Sequence, residues 1–147
     1  MKNLLFFSFL FCFLLSCSKD EKLNINKFPQ KWELVKTYNS GFVGDEGLIF
    51  KTGADMEWQE YYLLNSDGTS IIKHRKKDGK AYEASGKFVF KVRDGITHLE
   101  ITYDTHSWII LGCYGDLAED LFINSENYLQ SSVSSCDGGG FMYELIQ

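Results

Sequence analysis

The chain has little of what marks a disordered, nucleic-acid-binding or metal-binding protein. Its 147 residues include a single proline, Pro29, against 3 Trp, 8 Tyr and 12 Phe, a composition that argues against low-complexity disorder. Its 15 Lys and Arg are outnumbered by 20 Asp and Glu, which disfavours a nucleic-acid partner. The 3 histidines are scattered, and no glycine-rich phosphate loop, Gly-x-Ser-x-Gly elbow or His-Glu-x-x-His motif occurs. We therefore predict no catalytic residue, metal or cofactor, and an enzyme is the least favoured class.

One long apolar run is present, and it lies at the N-terminus. Lys2 precedes residues 4–15, which are almost unbroken in apolar character but shorter than the roughly 20 residues that a spanning helix needs. The ending Leu14-Leu15-Ser16-Cys17 resembles the lipobox of bacterial lipoproteins. That resemblance implies that residues 1–17 are a lipoprotein signal peptide and that Cys17 is acylated and becomes the mature N-terminus. An ordinary signal peptide with an incidental cysteine is the alternative.

Residues 18–28 are polar and aperiodic, which predicts a flexible tether. Ser18-Lys19-Asp20-Glu21, directly after the cysteine, resembles the lysine-acid-acid signal by which some Gram-negative bacteria display lipoproteins on the outer surface. The resemblance implies a lipid-anchored protein of the outer membrane that is displayed on the cell surface. If the segment is only a solvated linker, a domain that faces the periplasm remains the alternative. The mature chain would keep 14 of the 15 basic residues and all 20 acids, a net charge of −6. Acyl chains, rather than charge, would therefore hold it on the membrane.

The strongest structural signal is a β-hairpin over residues 88–103, closed by Asp94-Gly95. A two-residue turn there places Arg93 opposite Ile96 and Phe90 opposite Leu99. In this register the apolar residues share one face, and the period-two alternation selects the same register independently. The other face would carry His98, which we interpret as a lone surface histidine.

Further strand-length segments follow at short spacing. The predicted strands are 31–37, a short strand at 48–51, 58–65, 70–76, 80–85, 106–111, 117–123, 127–133 and 141–146. They are joined mostly by Asp-Gly or Ser/Asn turns, and the mature chain has no apolar segment of helical period, which predicts an antiparallel meander. Closure into an all-β, up-and-down barrel of about eight strands over residues 29–147 would remove the exposed edges. A β-sandwich is the main structural alternative, and we expect a monomer.

Four ordered segments resemble the lipocalin-like domain of small bacterial lipoproteins. They are Trp32-Glu33-Leu34-Val35, Leu64-Asn65-Ser66-Asp67-Gly68-Thr69, Leu99-Glu100-Ile101-Thr102-Tyr103, and Cys136 followed by Phe141-Met142-Tyr143-Glu144-Leu145. The resemblance covers most of residues 30–147 and implies a calycin-type barrel with a central cavity, often for a small apolar molecule. Two features depart from the wider lipocalin pattern. Gln30-Lys31 stands where a glycine usually precedes the tryptophan, and the last strand lacks the usual arginine.

Two cysteines remain after the predicted processing. Cys12 would leave with the signal peptide and Cys17 would carry lipid, so Cys113 and Cys136 form a pair in an oxidising compartment. We predict a disulfide between them, worth roughly 3 kcal/mol on the loop-entropy account. Two free buried thiols are the alternative.

The hairpin register also yields a candidate ligand site inside the barrel. The predicted ligand-binding residues are Tyr62, Leu64, Phe88, Phe90, Leu99, Ile101, Tyr103 and Trp108. An apolar interior with phenol and indole groups would suit a fatty acid, isoprenoid or similar lipid. The same residues also suit a filled core, because an eight-stranded barrel is only just wide enough for a ligand. The alternative function is a filled-core interaction module that binds another envelope or host protein through its loops.

Charged segments complete the predictions. The basic run 73–77 with Lys80 is interpreted as a solvated hairpin tip, with phosphate binding as the alternative. The acidic pairs Asp45-Glu46 and Glu119-Asp120 are interpreted as solvated surface.

Overall fold

The computed structural model describes residues 23–38, 49–112, 117–131 and 139–146. Within these ranges the chain forms nine strands and one short 3-10 helix at Gly53–Asp55. The strands are β1 (Gln30–Tyr38), β2 (Phe50–Thr52), β3 (Gln59–Leu64), β4 (Ser70–Lys77), β5 (Lys80–Arg93), β6 (Ile96–Tyr103), β7 (Ala118–Ile123), β8 (Leu129–Ser131) and β9 (Gly140–Leu145). No helix in the described part of the chain is long and apolar enough to cross a membrane.

Eight strands close into an antiparallel barrel. Their order is β1-β3-β4-β5-β6-β7-β8-β9, and β9 returns to pair with β1 from Trp32 opposite Leu145 to Tyr38 opposite Gly140. The short β2 pairs with residues 36–38 of β1, beyond the part of β1 that pairs with β3. The predicted all-β up-and-down barrel is confirmed, and the alternative of two separate packed sheets is excluded.

The central hairpin has the predicted register. Arg93 pairs with Ile96 and Phe90 with Leu99 across β5 and β6. Asp94 and Gly95 both have positive φ, 51° and 79°, as a two-residue hairpin turn requires, and Gly accepts this conformation without strain.

The predicted break between residues 80–85 and the hairpin is wrong, because β5 is one strand of 14 residues. Its first half pairs with β4 and its second half with β6, and Gly86 lies where the two pairings overlap, opposite both Ile71 and Tyr103. A Cβ at Gly86 would overlap the carbonyl oxygen of Thr102 and lie 2.9 Å from the Cα of Tyr103. Glycine at this position therefore allows two backbones to approach closely inside a continuous strand.

The predicted strand at residues 106–111 is also wrong. The segment forms a turn, in which the Ile110 N–H donates to the Ser107 carbonyl at 3.0 Å. Two further backbone groups bond to buried side chains: the Ile109 carbonyl accepts from Arg75 at 3.3 Å, and the Leu111 N–H donates to Glu119 at 2.5 Å. These hydrogen bonds give several backbone polar groups of the segment a partner without a strand ladder.

The two ends of the barrel differ. Because neighbouring strands are antiparallel, the turns after β3, β5 and β7 lie at the end where the domain begins and where β9 finishes. We call this the N-terminal end. Strands β1, β4, β6 and β8 finish at the opposite end, which we call the loop end.

Residues 23–28 cover the N-terminal end of the barrel. Leu23 and Phe28 pack against the core, and the Phe28 ring centroid lies 5.5 Å from that of Phe88. The side-chain amide of Gln30 donates to the Lys27 carbonyl at 3.1 Å. Residues 23–28, which the sequence assigns to the tether, are therefore seated against the barrel.

Candidate functional site

Four charged side chains lie inside the barrel. They are Glu60 on β3, Lys73 and Arg75 on β4, and Glu119 on β7, and each residue is at least nine-tenths buried. Strand alternation puts them there, since Lys73 and Arg75 share the face of buried Ile71. Two acids and two bases give this buried charge network a net charge of zero.

Glu119 is the most heavily bonded member of the network. Its Oε1 accepts from Lys73 Nζ at 2.6 Å and from the Leu111 N–H at 2.5 Å. Its Oε2 accepts from the hydroxyls of Tyr62 and Tyr103, each at 2.7 Å. Four donors thus surround one carboxylate, the pattern expected where a buried charge is stable.

Glu60 forms the second half of the network. Its Oε2 accepts from Arg75 Nε, and its Oε1 accepts from the Tyr143 hydroxyl at 2.5 Å. Lys73 Nζ lies 3.4 Å from the same Oε1, so the ammonium bridges Glu60 and Glu119. The four charges and three tyrosines are therefore one connected unit.

Burial and neighbouring charges shift the pKa of Glu119 and of the three tyrosines. Burial first, and the nearby carboxylates second, raise the pKa of all three network tyrosines above the usual value. Burial alone would raise the pKa of Glu119, but Lys73 and the Leu111 N–H outweigh it and hold that pKa below the usual range. At neutral pH the tyrosines are therefore neutral donors and Glu119 is an ionised acceptor.

Arg75 connects the network to the loop end. Its guanidinium carbon lies 4.6 Å from the Trp58 ring centroid and 5.3 Å from that of Trp108, within cation–π range of both. Tyr82 meets Trp108 edge-on at 4.8 Å. The buried Nε1 of Trp58 has no hydrogen-bond partner among the described residues.

The structure corrects the interpretation of the charged segments. Lys73 and Arg75, predicted as part of a solvated hairpin tip, are 0% and 3% exposed, and Glu119, predicted as surface, is buried. Only the outward members of the run behave as predicted, with Lys76 exposed. The sequence contains a pattern that indicates this burial. Lys73 and Arg75 follow the apolar Ile71 at every second position and therefore lie on the same face of the strand.

Seven of the eight predicted ligand-binding residues come together in the barrel interior. Tyr62, Leu64, Phe88, Leu99, Ile101 and Tyr103 belong to the buried core, and Phe90 packs against it. Trp108 does not join them, since it is 54% exposed at the loop end. The phenol groups that were expected to orient a guest already donate to Glu119.

Cavities in the described part of the chain include two outside the predicted ligand site. One of about 410 Å³ is a groove along β1, β3 and β4, lined by outward residues such as Lys31, Tyr61 and His74 and also by Glu60 and Arg75 of the buried charge network. Another, of about 170 Å³, lies at the loop end beside Trp58. Neither is lined by any of the eight predicted residues.

His98 is not the lone histidine that the sequence suggested. Its Nδ1 lies 3.0 Å from Asp120 Oδ1 and 2.6 Å from Arg93 Nη2, on the outer face of β5, β6 and β7. Over the described ranges no group of three His, Cys, Asp or Glu residues is placed to hold a metal ion.

The remaining predicted sites, Cys17, Cys113 and Cys136, lie outside the described residues. Comparisons of the chain with protein-family models, with curated proteins and with solved structures find no match.

Proposed function

We propose that the mature protein is a lipid-anchored interaction module of the bacterial envelope, whose barrel is filled by its own side chains and whose loop end binds a protein partner. The buried charge network is the observation that supports this choice. Lys73, with 0% exposure, stands in the interior where a guest would have to sit. A guest that displaced the bonds to Glu119 would leave buried charges unpaired. Breaking one buried ion pair typically destabilises a fold by about 3–5 kcal/mol.

The loop end has the composition of a protein interface. Ile49, Phe50 and Trp108 are each at least half exposed there. Large aromatic side chains are the residues that most often dominate binding energy at protein interfaces. The partner in this proposal is another envelope protein or a host protein.

The anchor of the proposed module is Cys17. Its support is the sequence 14–17, which resembles a lipobox, together with the polar stretch that follows it. Location in the outer membrane of a Gram-negative bacterium and membership of the lipocalin-like lipoprotein family belong to the same proposal. The family assignment is supported by the closed eight-stranded barrel and by the resemblance of the four sequence segments.

Native mass spectrometry of protein extracted from its own host separates this function from lipid carriage. We expect the acylated mass of a chain that begins at Cys17, with no additional small molecule. A bound lipid of defined mass would favour the second candidate, a barrel that carries an apolar ligand, and Phe90→Trp should then weaken that binding by overfilling.

Crosslinking tests the loop end directly. A photoreactive residue at position 108 should give a discrete protein adduct on whole cells, whereas one at Lys87, an exposed position far from that end, should not. Equal adducts from both positions would contradict a specific interface.

A further inference from the structure

We propose that the tip of the β5–β6 hairpin is a second membrane contact, in which Val92 and Ile96 enter the interfacial layer of the bilayer that holds the acylated chain. The inference rests on the proposed lipid anchor at Cys17. It adds an orientation to that function, with the N-terminal end of the barrel against the membrane and the loop end pointing away.

The hairpin projects beyond the rest of the barrel wall. β4 pairs with β5 only as far as Lys87, and β7 ends at Ile123, level with Thr97, so residues 93–96 extend past both neighbouring strands. Along the inward face of β5, burial falls from Phe88, which is in the core, through half-buried Phe90 to Val92, which is 69% exposed. Ile96, across the turn, is 45% exposed. Ile96 shares the outer face of β6 with His98, whereas Val92 continues the inward face of β5, so the tip presents one exposed aliphatic side chain on each of its two faces.

The anchor emerges at the same end as this tip. Phe28 contacts Phe88 of β5, which places the start of the domain beside the base of the hairpin. Between Cys17 and Leu23 lie only residues 18–22, and a fully extended chain of that length spans at most about 22 Å. An acylated Cys17 would therefore keep the N-terminal end within that distance of the bilayer.

The tip combines the two aliphatic side chains with exposed Asp94 in the turn between them, so Asp94 would lie among the headgroups while Val92 and Ile96 face the acyl chains. Its two cations are already paired, Lys91 with Glu100 at 2.5 Å and Arg93 with Asp120 at 2.6 Å. Branched aliphatic side chains flanked by long cationic stems are typical of segments that insert shallowly into the headgroup boundary. The contact should therefore depend on apolar burial and respond little to salt or lipid charge.

Tryptophan quenching tests the contact in the acylated mature chain. Val92→Trp and the matched control Lys80→Trp, at the exposed β4–β5 turn of the loop end, are reconstituted in phosphatidylcholine vesicles with brominated acyl chains. The emission that each variant adds to the unsubstituted chain is measured. For Val92→Trp we expect a blue shift and loss of most of the added emission, unchanged at high salt. For Lys80→Trp we expect neither effect. Ile96→Trp serves as the second probe if Val92→Trp lowers the urea midpoint.

The outcomes separate the inference from the function on which it rests. If the chain floats with the vesicles but neither tip probe is quenched, the hairpin contact is refuted and the anchor stands. If the chain does not float and its mass lacks acyl groups, the proposed anchoring fails, and the hairpin contact fails with it. A blue shift that grows with protein concentration and is insensitive to brominated lipid would assign the tip to a second copy of the chain, and the membrane contact would again be refuted.

Discussion

Replacing Glu119 by glutamine removes one charge from the buried network with almost no change in shape. The side chain accepts from four donors, among them Lys73 at 2.6 Å. In Glu119→Gln, Lys73 keeps only Glu60, 3.4 Å away, and the network changes from neutral to a net charge of +1. The amide NH2 would also replace a carboxylate oxygen that now accepts hydrogen bonds, so one set of donors would face another donor.

The magnitude follows from the burial of both partners. Breaking a buried ion pair by removing one member typically destabilises a fold by about 3–5 kcal/mol, because an uncompensated charge remains in the interior. Total stabilities of small domains are about 5–15 kcal/mol, so the loss would be a large fraction of the whole. The double variant Lys73→Met, Glu119→Gln restores neutrality. It should recover about 1–3 kcal/mol of the loss relative to additivity.

Urea unfolding of the mature chain, followed by Trp fluorescence and circular dichroism, gives the free energies. The matched control is Asp120→Asn, the neighbouring acid on the same strand, whose side chain is 36% exposed on the outer face. Partly exposed pairs are typically worth about 0–1 kcal/mol. A loss below about 1 kcal/mol for Glu119→Gln, or a double variant no more stable than additivity predicts, would refute the account of the network as a balanced structural unit.

Four further outcomes are expected. The three network tyrosines, whose pKa values are raised in the folded state, lend stability that is lost as pH rises above about 10, so their tyrosinate absorbance should appear only as the chain unfolds. Glu119 has a lowered pKa, so its contribution is present above about pH 4 and should be lost from the urea-unfolding free energy as pH falls below that value. Gly86→Ala should destabilise by about 1–3 kcal/mol or more in the same assay, because the added methyl meets backbone, while Ser85→Ala on the exposed side should change little. Alkylation without reduction should label neither Cys113 nor Cys136, and ready reaction of both in the native protein would contradict the disulfide.

The parts of the fold that local chemistry determines were predictable. The register of β5 and β6 follows from Asp94-Gly95 and period-two alternation, and all the pairs beside the turn agree. The antiparallel order of the strands also follows from the short spacing between turns, although two of the predicted strand boundaries are wrong. These features depend on residues that are close in sequence, and turn type and hydrophobic periodicity predict such local features correctly.

Two of the failures share one physical cause, which is that a partner distant in sequence determines the environment of a residue. Lys73 is stable in the interior because it is paired with Glu119, which is 46 positions away in the sequence. The residues next to Lys73 in the sequence do not indicate this pairing. The segment 106–111 has strand-like residues, but Arg75 and Glu119 bond its backbone instead. Charged residues inside a strand are normally assigned to the surface. That assumption places Lys73 and Arg75 in solvent, although they share a strand face with Ile71.

Because of the buried charge network, different interactions stabilise the two ends of the barrel. At the N-terminal end, the ring of Phe28 packs on that of Phe88, and the Gln30 side chain donates to the Lys27 carbonyl. At the loop end, the segment around Ile109 is held by hydrogen bonds to charged side chains of the interior. The conformation of this segment therefore depends on the charged side chains of the barrel centre. The charged interior therefore does more than occupy space, because its hydrogen bonds hold the backbone of the segment around Ile109 at the loop end.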